Sequence, residues 1–191
     1  MKFKLIPFVI AFALIFTAAV PAQAAPQTYT FDPNHTYVLW HVSHFGFSNP
    51  SGKWLANGTL TLDDAKPQDS KVNVTIKMDS LATGIPELDE HLKGDNFFDI
   101  KQFPTATFVS DKVTLDGSKT AKVHGILTVH GVSKPVTLNI TLNKVGMSII
   151  TNKKTVGFSG STTLNRSDFG VSTFLPGVGD EVKIEIEAEA N

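Results

Sequence analysis

The chain has 191 residues, a formal net charge of −1 and no cysteine. Without thiols it has no disulfides, no thiol nucleophile, no iron–sulfur cluster and no c-type haem attachment. It carries no basic block, so nucleic acid is not an expected partner.

Met1-Lys2-Phe3-Lys4 is a short basic start, Leu5 to Val20 is an apolar run, and Pro21-Ala22-Gln23-Ala24 puts small residues where a signal peptidase reads. This is the pattern of an export signal cleaved near Ala24. The run falls short of the ~20 residues a spanning helix needs. The expectation is a cleaved signal peptide at 1–24 and one domain at 25–191, located in the periplasm. No later stretch is apolar enough for stable membrane insertion.

After the signal the dominant pattern is period-two alternation, which puts apolar side chains on one face of a strand. Val38-Leu-Trp40-His-Val42 shows it imperfectly, since Leu39 is also apolar. Residues 58–62 follow, then the clean Val72-Asn-Val74-Thr-Ile76-Lys-Met78. Pro86-Glu-Leu-Asp-Glu-His-Leu-Lys93 breaks the pattern: Pro first, acids early, Lys late and Gly94 just beyond predict a short helix. Asn96-Phe-Phe-Asp-Ile100 and Phe103-Pro104 form an apolar loop. Further strands are predicted at 105–115, 121–129, 136–142, 155–164 and 182–190, most of them bounded by Gly, Pro, Asn or Asp. Eight antiparallel strands and one short helix make an all-β domain. On pattern alone the strands close into a barrel or stack as a sandwich.

Nine ordered stretches carry a resemblance. They include Phe31-Asp-Pro-Asn-His-Thr36, Leu88-Asp-Glu-His-Leu-Lys-Gly-Asp-Asn-Phe-Phe-Asp99, Phe103-Pro-Thr-Ala-Thr-Phe108, Leu127-Thr-Val-His-Gly-Val-Ser-Lys-Pro-Val136 and Asn165-Arg-Ser-Asp-Phe-Gly170. In order and spacing the chain resembles the YceI-like family of bacterial polyisoprenoid-binding proteins over residues 29–190. The resemblance implies an eight-stranded antiparallel lipocalin-like barrel with a short helix, often a homodimer. It also implies an elongated apolar cavity for an isoprenoid, isoprenoid quinone or fatty amphiphile, with no cofactor beyond that ligand. The sequence departs from the family pattern at His124 and Ile126, on the outer face, and at Trp40, bulkier than the Phe often found there.

Alternation and the resemblance together place Trp40, Val42, His44, Val74, Ile76, Phe97, Phe98, Phe108, Leu127 and Phe158 about a ligand. His44 shares parity with Trp40 and Val42 and is expected inward, near a head group. Phe97 and Phe98 sit on a loop at a barrel end and are expected to gate the ligand's way in.

Six histidines invite a catalytic or metal reading. His41 and His44 are three apart, which sends them to opposite faces of a strand. No spacing suits zinc, and no metal site is expected. His35 and His130 belong to turns. His91, beside Asp89, Glu90 and Asp95, supports an alternative: a hydrolase or isomerase of lipid-like substrates, with no nucleophile motif beside it. A second alternative is a stress-induced structural module with a filled core. Arg166 and Asp168, two apart, are expected on one strand face, in an ion pair closing the barrel's end. The principal expectation is a binding protein without catalytic residues.

Overall fold

The computed structural model describes residues 25–191, so the expected export signal lies outside the described residues. Among the described residues nine strands occur: β1 Gln27–Thr30, β2 Tyr37–His44, β3 Ser51–Leu62, β4 Lys71–Lys77, β5 Thr105–Leu115, β6 Thr120–Val129, β7 Val132–Met147, β8 Lys154–Asn165 and β9 Val178–Ala190. They hydrogen-bond in the order β3-β2-β9-β8-β7-β6-β5-β4, and β4 pairs back onto β3. This is a closed ring of eight positions, which removes every long exposed edge and settles barrel over sandwich.

One position is shared by two strands. β1 pairs with residues 59–62 of β3 and β2 with residues 51–55 of the same strand. Phe31, just past β1, bridges Ala190 at the end of β9. The break between β1 and β2 is a turn in which Asp32 accepts the Asn34 N–H at 2.8 Å and faces His35 Nδ1 at 2.8 Å. Closure also needs β3 to bend. Gly58 has φ of +143°, and a Cβ there would fall 2.0 Å from the Asn73 carbonyl oxygen, so only glycine fits.

The alternation read from the sequence sets the wall. Val182, Ile184 and Ile186 of β9 face the interior beside Val38, Trp40 and Val42 of β2, with Trp40 paired to Ile184. Val136, Leu138, Ile140 and Leu142 do the same on β7. β6 and β7 are joined by His130 (φ 51°) and Gly131 (φ 74°), both left-handed as a two-residue hairpin turn demands.

The barrel's two ends differ. The end holding the β4–β5 connection is closed by helix α1, Pro86–Lys93, and the loop after it. Proline opens the helix, Glu87 and Asp89 occupy its first turn, and Lys93 its last. Asp89 accepts hydrogen bonds from the N–H and hydroxyl of Thr83, which hold its carboxyl below its ordinary pKa. Leu92 packs with Trp40, Trp54, Met78, Leu81, Phe97 and Val171 in one buried cluster.

Candidate ligand cavity

The interior is not filled. A cavity of about 520 Å³ runs inside the barrel, its wall almost wholly apolar. Trp40, Trp54, Met78, Leu92, Phe97 and Val171 line it at the helix end, and Phe31, Leu60, Val74, Ile140, Phe158 and Ala188 line it further along. The void survives because the ring is fixed by backbone pairing while side chains enter from all sides without meeting at the axis. Three separate clusters of buried residues coat the wall in place of one central core.

Nine of the ten residues proposed from the sequence border this cavity: Trp40, Val42, Val74, Ile76, Phe97, Phe98, Phe108, Leu127 and Phe158. His44 does not. The pairing of β2 with β9 slips between Val42 and His44, where Val42 opposes Val182 but His44 opposes Val178. The bulge ends the alternation, so His44 lies exposed at the rim with its ring edge-on to Phe45 at 4.8 Å.

Phe97 and Phe98 lie at the helix end of the cavity. Phe97 is only 7% exposed and packs against His91 at 5.0 Å and Phe174 at 6.1 Å. Phe98 meets Trp54 edge-on at 5.2 Å. They form a packed plug. The cavity opens at the other end, where Asp64, Pro67, Leu115, Ser118, Lys119 and Val145 border it.

Arg166 and Asp168 do not pair on a strand. Residues Arg166–Phe169 form a short 3₁₀ turn, so the two side chains diverge and Asp168 is exposed. Arg166 borders the cavity and donates to the main-chain carbonyls of Gly179, Val171 and Val178, each at 2.8 Å. Its burial pulls its pKa down, against the opposing charge of Asp180. Asp180 accepts from the N–H and hydroxyl of Ser167, which hold its carboxyl below the usual range. The barrel end is therefore tied by an arginine to carbonyls, not by the expected ion pair.

His91 is exposed, stacks toward Phe174 at 6.4 Å, and does not border the cavity. Its neighbouring acids are engaged elsewhere: Asp89 with Thr83, Glu90 with Lys93 at 3.1 Å. Among the described residues no group of three or more His, Asp or Glu side chains is placed to hold a metal ion.

The sequence reading missed Trp54, Ala56, Met78 and Ala106 as lining residues. Trp54, Ala56 and Leu60 recur with period two, a signal weakened by Leu55 and the glycine at 58. The indole N–H groups of Trp40 and Trp54 are buried without a hydrogen-bond partner.

A closed antiparallel barrel around a long apolar cavity, stoppered at one end and open at the other, defines the class of small lipocalin-like proteins. Residues 29–190 match the YceI-like domain, and the chain belongs to that family. A UPF0312 protein of Pseudomonas putida (strain GB-1) is 39% identical over 163 residues, covering 85% of this chain and 84% of its own. The crystal structure of Burkholderia cenocepacia BcnA is similar with a TM-score of 0.74 and 27% identity, covering 84% of this chain and 99% of its own. A polyisoprenoid binding domain from Saccharophagus degradans shares the fold at a TM-score of 0.64 and 13% identity, covering 85% of this chain and 97% of its own.

Proposed function

We propose that this chain is a non-catalytic periplasmic carrier that holds one long-chain isoprenoid, isoprenoid quinone or comparable amphiphile inside its barrel. The observation that carries the reading is the continuous apolar cavity of about 520 Å³, within the ~300–1,000 Å³ typical of sites that enclose a small molecule. The polyisoprenoid binding domain with the same fold supports the ligand class. The tail lies toward Trp40, Trp54 and Phe97, and the head group sits at the mouth beside the polar residues Ser118, Lys119 and Thr120.

The energetics suit such a ligand. Each buried methylene contributes about 0.8 kcal/mol, so a chain of about 15 carbons offers on the order of 12 kcal/mol. An association cost of about 4 kcal/mol, the low end of its range, leaves about 8 kcal/mol, or micromolar binding. Denaturing organic extraction of the purified protein, followed by mass spectrometry, tests the reading. It predicts one prenyl or acyl species at near-equimolar yield. A protein that yields no lipid and takes up no polyprenyl quinone added from ethanol would refute it.

A further inference from the structure

The open end of the barrel carries a feature that lipid storage alone does not require. The β7–β8 turn projects beyond the mouth and presents Ile149 at 100% and Ile150 at 90% exposure, with Met147 at 59%. Two adjacent isoleucines at a hairpin tip cost solubility and pack against nothing in the chain. The same hairpin, from Asn139 to Asn165, carries Lys144, Lys153 and Lys154 and not one Asp or Glu. Val145 of this hairpin and Lys119 of the neighbouring β5–β6 turn both border the cavity. Asp63, Asp64, Asp69 and Asp116 lie in the connections at the same end, but Lys66, Lys71, Lys119, Lys144, Lys153 and Lys154 outnumber them, and Asp64 is held by Lys154 at 3.1 Å. Apolar tip, basic flank and cavity mouth thus share one end of the molecule.

We infer that this hairpin docks the barrel mouth-down on an anionic lipid surface, Ile149 and Ile150 entering the acyl boundary while the lysines meet the head groups. The inference rests on the lipid-carrier reading for its purpose, since it sets the cavity opening against the phase in which a long-chain amphiphile dissolves. Among the described residues no helix is long and apolar enough to cross a membrane, so attachment is by the hairpin at the surface. Charge chooses between the two ends. The stoppered end also exposes apolar side chains, Phe45, Phe47, Ile85 and Phe174, but its 86–101 segment carries Glu87, Asp89, Glu90, Asp95 and Asp99 against Lys93 and Lys101, a net negative face that an anionic surface repels.

Co-sedimentation with phosphatidylglycerol–phosphatidylcholine vesicles tests this on protein expressed from the full-length sequence. The wild-type protein is expected in the pellet, and far less of it with phosphatidylcholine alone. The double variant Ile149→Asp, Ile150→Asp should bind at least about tenfold more weakly, given the apolar burial it forfeits, whereas Phe47→Asp should pellet as wild type does. A polyprenyl quinone supplied in the vesicles should load the hairpin variant about tenfold more slowly, while the same quinone added from ethanol loads both proteins equally. Failure of the ethanol loading in both would count against the cavity reading and leave the sedimentation result to decide the docking. A wild-type protein that stays in the supernatant, or a double variant that pellets normally, overturns the inference. So does a concentration-dependent doubling of mass abolished by Ile150→Asp, which would assign the tip to a second copy of the chain.

Discussion

Trp40 lies flat against Gly52 across the β2–β3 pair. The two are register partners, and a Cβ at position 52 would fall 2.5 Å from Trp40 Cζ2 and 2.8 Å from its Nε1. The absence of a side chain on β3 is thus what lets the largest residue on β2 lie along the wall. Gly52→Ala is expected to push the indole toward the cavity axis. Overpacking of this kind costs about 1–3 kcal/mol, read as a lower midpoint in urea. The variant should retain a shorter ligand than wild type by extraction and mass spectrometry. An unchanged ligand would show that this stretch of the cavity is not occupied.

The wall should tolerate added volume where it borders the void. Val123 of β6 is only half buried and faces the cavity, so in Val123→Trp the indole enters open space. The expected loss of stability is under about 1.5 kcal/mol, with bound lipid lost. Ala190, 0% exposed and away from the cavity wall, should lose more stability on the same enlargement. Thermal melts alongside extraction check both. A Val123→Trp protein that melts near wild type and still holds its lipid would contradict the position of the cavity.

Arg166 is the polar tie of the stoppered end. Its three donors reach the carbonyl of Val171 in the loop and those of Val178 and Gly179 at the start of β9, and hydrogen bonds from a charged donor are worth roughly 1.5–3 kcal/mol each before the cost of desolvating it. Arg166→Met is expected to lower unfolding free energy by about 3 kcal/mol. Arg166→Lys should recover less than half of that, because one ammonium cannot span three acceptors placed for a planar fork. An Arg166→Lys protein as stable in urea as wild type would show that charge matters here and geometry does not.

Much of this architecture was legible in the residues. The alternation of Val182, Ile184 and Ile186 and of Val136, Leu138, Ile140 and Leu142 fixed which side chains face inward, and Pro86 and Gly94 bracketed the helix. The misreadings share a cause. His44 and the Arg166–Asp168 pair both lie where a strand stops, and parity carries no information past a bulge or into a 3₁₀ turn. Alternation is equally silent on which end of the barrel is covered, since that is set by which loops are long enough to cover an end. The β4–β5 connection is; the β5–β6 and β7–β8 turns are not.

The Asp32–His35 pair gives a pH-dependent signature. Its hydrogen bond with Asp32 raises the His35 pKa above 6.5, and the same bond lowers that of Asp32 below 3.8. A raised imidazole contributes fully below 6.5 and loses its contribution as pH climbs through its folded value. A lowered carboxylate contributes fully above 3.8 and loses it as pH falls through its folded value. The turn between β1 and β2 should therefore be tightest between these limits. In an NMR titration His35 should ionise above the ordinary histidine value, and Asp32→Asn should return it there. A wild-type His35 that titrates at the ordinary value would show that the pair does not persist in solution.

The central claim is that one amphiphile fills the barrel, and native mass spectrometry of the protein purified without added lipid tests it most directly. The account predicts a single mass increment of lipid size on most of the population, released on collisional activation and missing from Val123→Trp. A wild-type spectrum at the bare polypeptide mass, unchanged after incubation with a polyprenyl quinone, would contradict it.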